Sequence, residues 1–439
     1  MKTIYLLFTI LALLFTMSCS KNDTNPYDPE EVILTIHLPE IFFDNTFVII
    51  ENKETNPVYL ELEGRESYYI QRGDSIRGET FNLHFFYHFF EDVAQASSYF
   101  AIVPGKEIHI TSGTGNFPMI NSHSEKTENN TTVEISFSDI PDFDVATRTA
   151  IYPGHCHTLS TLEVPCANIG GNTPPVGSTF YVCLQQGDNA AYKMIELPNV
   201  SEYTISLAEL NSNMKKYSFP KNPDFLDRIS VYGYGEIVNY YGGYTGRLGL
   251  FSLSNPSIFP GNTIDVFIPD DIPGLTTFDT NLSKGLPEMQ AIKSVSYRNQ
   301  PQVVNNYLLP EVDFSLSPDH TPGDFPQITH SSNDYSYVTL KLASIDNTLD
   351  ERRWNMVAPG FDYFYAFTFP EKLLEIIPDN DFYRNFFSYD LHIRAETHYD
   401  SRFTNYNDAV NHLLNIEDFG TQDGYKVMNA SRWWYESEL

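Results

Sequence analysis

Alternation at period two runs through this chain. Val32, Leu34 and Ile36 fall on one face of an extended segment, and Ile33, Thr35 and His37 make a mixed second face. Thr46 to Ile50 and Tyr59 to Leu62 read as a strand pair joined by a polar turn. From Thr80 to Phe90 the chain is densely aromatic, with Phe85, Tyr87 and Phe89 on one face and Phe86, His88 and Phe90 on the other. Two apolar faces predict a central strand covered on both sides.

The pattern returns downstream. Val133, Ile135 and Phe137 repeat the first strand. Thr179-Phe180 opens a short apolar strand as Thr46-Phe47 does, and Tyr192 follows Phe180 as Tyr59 follows Phe47. Tyr203 to Ile205 matches Tyr68 to Ile70, and Pro260 to Val266 matches Pro104 to Ile110. These correspondences predict one β-module used at least twice, over residues 31–112 and 132–270, with a polar linker at 113–131. Residues 271–334 are rich in turn chemistry and read as a linker or irregular extension, part of which completes a flanking domain. Residues 335–439 read as a β-rich C-terminal domain. Its predicted elements are strands at Val338 to Leu342, Phe361 to Phe369 and Phe387 to Glu396, and short helices from Pro370 and over Asn407 to Leu414.

Composition sharpens this to an all-β chain of short strands, and the turn from Leu197-Pro198 into Tyr203-Thr204-Ile205 resembles that of transthyretin-like sandwiches, which implies tandem β-sandwich domains, Ig-like or transthyretin-like. Of 439 residues, 29 are Tyr and 32 Phe against 3 Trp, while 27 Pro and 24 Gly punctuate the pattern as turns. A formal net charge of −30 repels phosphate backbones, so nucleic acid is not an expected partner.

The N-terminus carries its own signal. Met1-Lys2 opens a positive segment, Ile4 to Phe15 is apolar but too short to span a bilayer, and small residues precede Cys19. This looks like a bacterial lipoprotein signal at 1–18 that leaves Cys19 as the lipidated N-terminus. Residues 19–30 then form a polar tether.

Candidate chemistry is sparse. No nucleophile elbow, zinc-protease motif, P-loop or dinucleotide fingerprint occurs, so no catalytic residues and no cofactor are assigned and a binding or structural protein is expected. His84 and His88 share a strand face without a third ligand, and no metal site is assigned. In an exported chain Cys156 and Cys166 suit a disulfide, with Cys183 hidden in a strand. Tyr240, Tyr241 and Tyr244, loosened by glycines, either stack on a ligand or pack as a hairpin on a sheet edge. Trp433, Trp434 and Tyr435 form either a donor-like or ligand-stacking tail or a last strand paired into its own domain.

Cys19, the tether and the run Pro175 to Val182 leading to Tyr203-Thr204-Ile205 resemble the fimbrillin-like lipoproteins of Gram-negative gut and oral anaerobes. That resemblance implies an outer-membrane, lipid-anchored, outward-facing fimbrial anchor or adhesin whose partners are the membrane and other surface proteins. The glycan-binding lipoproteins of polysaccharide-uptake systems also string β-sandwiches on a lipid anchor, which makes glycan capture the alternative.

Overall fold

A computed structural model describes residues 32–37, 46–51, 57–62, 67–71, 79–90, 93–109, 133–138, 148–152, 155–158, 163–164, 179–186, 189–196, 202–221, 226–235, 247–254, 261–270, 272, 274–317, 325–345, 351–365, 391–414 and 424–435. The described chain is mostly β, with large multi-strand sheets.

A first set of seven strands comprises β1 (Val32–His37), β2 (Thr46–Glu51), β3 (Val58–Leu62), β4 (Ser67–Gln71), β5 (Phe81–Phe90), β6 (Val93–Ile102) and β7 (Lys106–His109). They form two layers, ordered β4-β1-β7 and β3-β2-β5-β6. β1 runs antiparallel to β4 and parallel to β7. Leu34 and Ile36 of one layer pack with Val48, Ile50, Leu83 and Phe85 of the other. As the aromatic alternation predicts, β5 is covered twice: Phe85 lies in this core and Phe86 in a second core on the opposite face.

The second set repeats that arrangement strand for strand. It comprises β8 (Val133–Ser138), β9 (Arg148–Tyr152), β10 (His155–Thr158), β11 (Glu163–Val164), β12 (Thr179–Gln186), β13 (Asn189–Glu196) and β14 (Glu202–Ser206). The layers are β11-β8-β14 and β10-β9-β12-β13, and β8 again has one antiparallel and one parallel neighbour. The equivalence differs from the residue matches read in the sequence. Only the first-strand match, Val32 with Val133, joins equivalent strands. The Thr179 strand, β12, occupies the position of β5 rather than of the Thr46 strand, and β14 occupies that of β7 rather than of β4. A Thr-Phe opening and a following Tyr suit any antiparallel pair, so they say nothing about which pair is which.

A third set comprises β15 (Met214–Pro220), β16 (Arg228–Gly235), β17 (Arg247–Ser254), β18 (Thr263–Pro269), β19 (Leu275–Leu286) and β20 (Ala291–Gln300). β15 pairs with β18, and the other layer is β17-β16-β19-β20, again in the same order. The pairing therefore regroups the expected spans. β15 to β18 lie inside the span read as module two but pair as a new set, and within the span read as a linker or irregular extension 275–300 forms a long hairpin that completes this set by pairing with β16. Gly235 allows β19 to approach, since a Cβ there would lie 1.6 Å from the Gly274 carbonyl oxygen. Among the described residues no seventh ladder strand follows; instead Asn305 Nδ2 donates to the Ser218 carbonyl and Tyr307 Oη to that of Pro220, so this segment runs parallel beside β15.

The C-terminal set comprises β21 (Phe314–Leu316), β22 (Ile328–His330), β23 (Tyr337–Ile345), β24 (Glu351–Ala358), α1 (Asp362–Tyr365), β25 (Leu391–Asp400), α2 (Tyr406–Leu413) and β26 (Tyr425–Tyr435). Its main layer, β24-β23-β25-β26, has the same internal order as the other four-stranded layers. The predicted strand from Phe361 begins instead as helix α1, because Phe361 and Phe364, three apart, are the residues that bury, while Asp362 and Tyr363 face out. Helix α2 matches expectation. Asn405 caps it by accepting from the Asp408 amide, and the Asp408 carboxylate accepts from the Thr404 amide.

Three of the four-stranded layers join edge to edge. β20 pairs antiparallel with β26, and β24 pairs parallel with β6. The result is one twelve-stranded sheet, with the C-terminal set between the third and the first. The second set joins through packing: Tyr181, Cys183 and Tyr192 share a core with Phe219, Ile229 and Ile264 of the third.

Candidate functional site

Two places concentrate polar side chains at or beside these joins. The first lies under the β6–β24 pair. Trp354 Nε1 donates to Ser98 Oγ at 2.8 Å, Ser98 Oγ lies 2.8 Å from His84 Nδ1, and His84 Nε2 lies 3.3 Å from Glu51 Oε1. An indole only donates, so Ser98 Oγ accepts from Trp354, and the contacts link Trp354 through Ser98 and His84 to Glu51. Burial works to raise the Glu51 carboxyl, but the hydrogen bond and charge of His84, with Asn82, outweigh it and hold the group below its ordinary range. His84 is a fully buried core histidine, as expected, with Nδ1 on Ser98 and Nε2 facing Glu51; the His88 side chain lies outside the described residues. From α2, the Tyr406 hydroxyl reaches the Phe100 carbonyl of β6 at 2.6 Å and lies 3.3 Å from the Val357 carbonyl of β24. The join is thus held by a backbone ladder, a buried polar chain and a hydroxyl clamp.

The second place is the outer face of β23, β25 and β26. In β25, Leu391, Ile393 and Ala395 point into the core, so His392, Arg394, Glu396 and His398 share the other face. Register makes rows across the three strands: Lys341, Arg394 and Trp433; then Thr339, Glu396 and Ser431; then Tyr337, His398 and Asn429. Glu396 is the hub and is only 2% exposed. Its Oε2 takes Lys341 Nζ at 2.7 Å and Thr339 Oγ1 at 2.9 Å, and its Oε1 takes Arg394 Nη2 at 2.7 Å. His398 Nε2 lies 3.4 Å from Oε2, its Nδ1 lies 3.0 Å from Asn429 Nδ2, and its ring stacks on Tyr337 at 4.5 Å. Burial pushes the Glu396 carboxyl up, but the His398 hydrogen bond and the charges of His398, Lys341 and Arg394 outweigh it and hold it far below the usual carboxylate range.

Of the residues singled out in the sequence, Trp433 lies half-buried on this face, beside Arg394. Trp434 points the other way into the core at 7% exposure, so its ring has no open face for a ligand. The terminal aromatic segment is an internal strand, paired with β25 on one side and β20 on the other, and not a free donor tail. Cys183 is buried and free, and burial, countered in part by a hydrogen bond with Tyr181, pushes its thiol up to about 12. Cys19, Cys166, Tyr240, Tyr241 and Tyr244 lie outside the described residues, as does the side chain of Cys156. Arg394, Glu396 and His398 were missed by sequence reading. Their signal is the clean alternation over 391–398, polar at every second position with opposite charges two apart.

Among the described residues, no group of three or more His, Cys, Asp or Glu is disposed to hold a metal ion, and no helix is long and apolar enough to cross a membrane. Compared with protein-family models, with curated proteins and with solved structures, the chain matches none.

Proposed function

We propose that this chain is a lipid-anchored cell-surface structural protein, an adhesin-type or fimbria-associated subunit of an outer membrane. The observation that carries the reading is that its β-layers join edge to edge, at β20–β26 and β24–β6. Strand edges expose main-chain donors and acceptors, and pairing them gives affinity with little demand on side chains. A chain that already assembles itself this way has the machinery to extend the same contact to a neighbour. Within the described residues β3 and β17 end the twelve-stranded sheet. The strand order 4-1-7 over 3-2-5-6, used twice in full, supports transthyretin-like sandwich modules. The lipoprotein-type N-terminus ending at Cys19 supports an anchor with modules projecting outward.

The test is chemical cross-linking on intact native cells, purification through this protein and identification of what is attached. Fimbrillin-type subunits or a ladder of covalent oligomers are the expected result. Recovery of an outer-membrane transporter with glycan-capture partners would overturn the reading in favour of polysaccharide uptake. Deleting residues from Trp433 onward is a poor test of assembly, because Trp434 belongs to the core and its loss damages the fold itself.

A further inference from the structure

We infer that the outer face of β23, β25 and β26 binds an acidic saccharide, with its carboxylate on Lys341 and Arg394 and its ring face on Trp433. Charge is unbalanced on this face. Lys341 and Arg394 are direct cross-strand partners on one face, a placement that like charges disfavour. One carboxylate, Glu396, holds both, one on each oxygen. The other acid of this face of β25, Asp400, is engaged by Arg402 through two nitrogens and adds nothing to the pair. Among the described residues, two cations therefore share one anion, with His398 also against it, in a protein whose net charge is −30.

The cations are also reachable. Glu396 is buried beneath them, whereas the Lys341 and Arg394 side chains are 41% and 45% exposed. An ammonium has three N–H donors and a guanidinium five in a planar fork, and Glu396 engages one nitrogen of each. An incoming carboxylate meets donors already oriented by the buried acid, which lowers the ordering cost of binding.

Trp433 gives the site its sugar character. It is the direct partner of Arg394 on the adjoining strand, so the two side chains leave the sheet side by side on one face, with Cβ atoms about 5 Å apart. A sugar whose apolar face covers the indole would carry its carboxylate towards Arg394 on the same face. The next row, Thr339, Glu396 and Ser431, is buried, so the reachable part of the face is the row of Lys341, Arg394 and Trp433. The negative field of the whole protein opposes an anion, but charges beyond about 10 Å are screened at moderate salt, so the local pair decides. This inference is independent of the assembly reading: a surface protein with or without fimbrial partners can carry such a site.

The experiment is calorimetric titration of the full chain with a glucuronate-containing tetrasaccharide and with its carboxyl-reduced counterpart. The acidic sugar is expected to bind at least tenfold more tightly, with affinity falling as salt rises. Trp433→Ala is expected to weaken binding of the acidic sugar at least tenfold, and Trp433→Tyr to restore part of it. Arg394→Gln is expected to remove the preference for the acidic form. Equal binding of the two sugars, no binding of the acidic one at millimolar concentration, or full affinity in Trp433→Ala would overturn the inference. Since Arg394→Gln disturbs Glu396, the decisive comparisons are the two sugars on the unaltered chain and the Trp433 variants, which leave that ion cluster in place.

Discussion

Replacing Trp354 with alanine is expected to lower stability by about 3–5 kcal/mol, the largest effect of any single change proposed for this chain. Trp354 is the largest of the fully buried side chains. Its ring meets Phe86 of β5 edge-on at 6.0 Å and Phe325 at 5.9 Å, so removing it opens a cavity between the first and the C-terminal sets. The indole also heads the buried chain of bonds through Ser98 and His84 to Glu51. Trp354→Phe separates the two contributions. It keeps much of the ring but leaves Ser98 without its donor, and about 1–2 kcal/mol is expected for that bond. Urea unfolding followed at more than one probe makes the measurement, since a chain of several sets need not unfold in one step. In Trp354→Ala the first and C-terminal sets are expected to lose stability together. A loss confined to the C-terminal set would mean that Trp354 serves only its own core.

Glu396→Gln has the second-largest expected effect, about 1–3 kcal/mol at neutral pH. Removing one partner of a buried ion cluster usually costs more, but Lys341 and Arg394 are nearly half exposed and water compensates part of their loss. The pH dependence distinguishes this from a packing defect. Glu396 has a folded pKa depressed below its ordinary 4.5. Its stabilisation is therefore fully present above that value and fades as pH falls from about 4.5 towards the folded pKa. Melting temperatures of the unaltered chain and of Glu396→Gln should thus differ at pH 7, and the gap should begin to narrow near pH 4.5 and go on narrowing as pH falls towards the folded pKa. A gap that stays constant across this range would show that the carboxylate's charge is not what stabilises the face.

Much of the local structure was legible because it depends on local pattern. Two apolar faces over 81–90 called for a doubly covered strand, and Phe85 and Phe86 bury on opposite sides. The apolar spacing over 407–414 called for a helix, and Ala409, Val410 and Leu414 bury from it. The partners of each strand were not legible. The Thr46 and Thr179 strands share a period and an opening dipeptide, yet one pairs with the strands on either side of it in its layer as β2 does and the other as β5 does. Period two fixes a face and leaves the neighbour open. The run from Phe361 misled because aromatic density was read as a strand, when the spacing of Phe361 and Phe364 suits a helix. The polar face on β25 was visible as alternation but not as a cluster. Glu396 acquires its role only when β23 brings Lys341 opposite Arg394, a contact between residues far apart in the chain.

The account turns on the joining of separate β-layers into one sheet, and the β6–β24 pair is the join between the most distant parts of the chain. Residue-resolved hydrogen–deuterium exchange over Glu351–Ala358 tests it most directly. With β23 on one edge and β6 on the other, β24 is an interior strand, and both alternating sets of its amides are expected to exchange slowly. If every second amide of β24 exchanges at the rate of an open sheet edge, the layers are not joined there, and the edge-to-edge account of this protein fails.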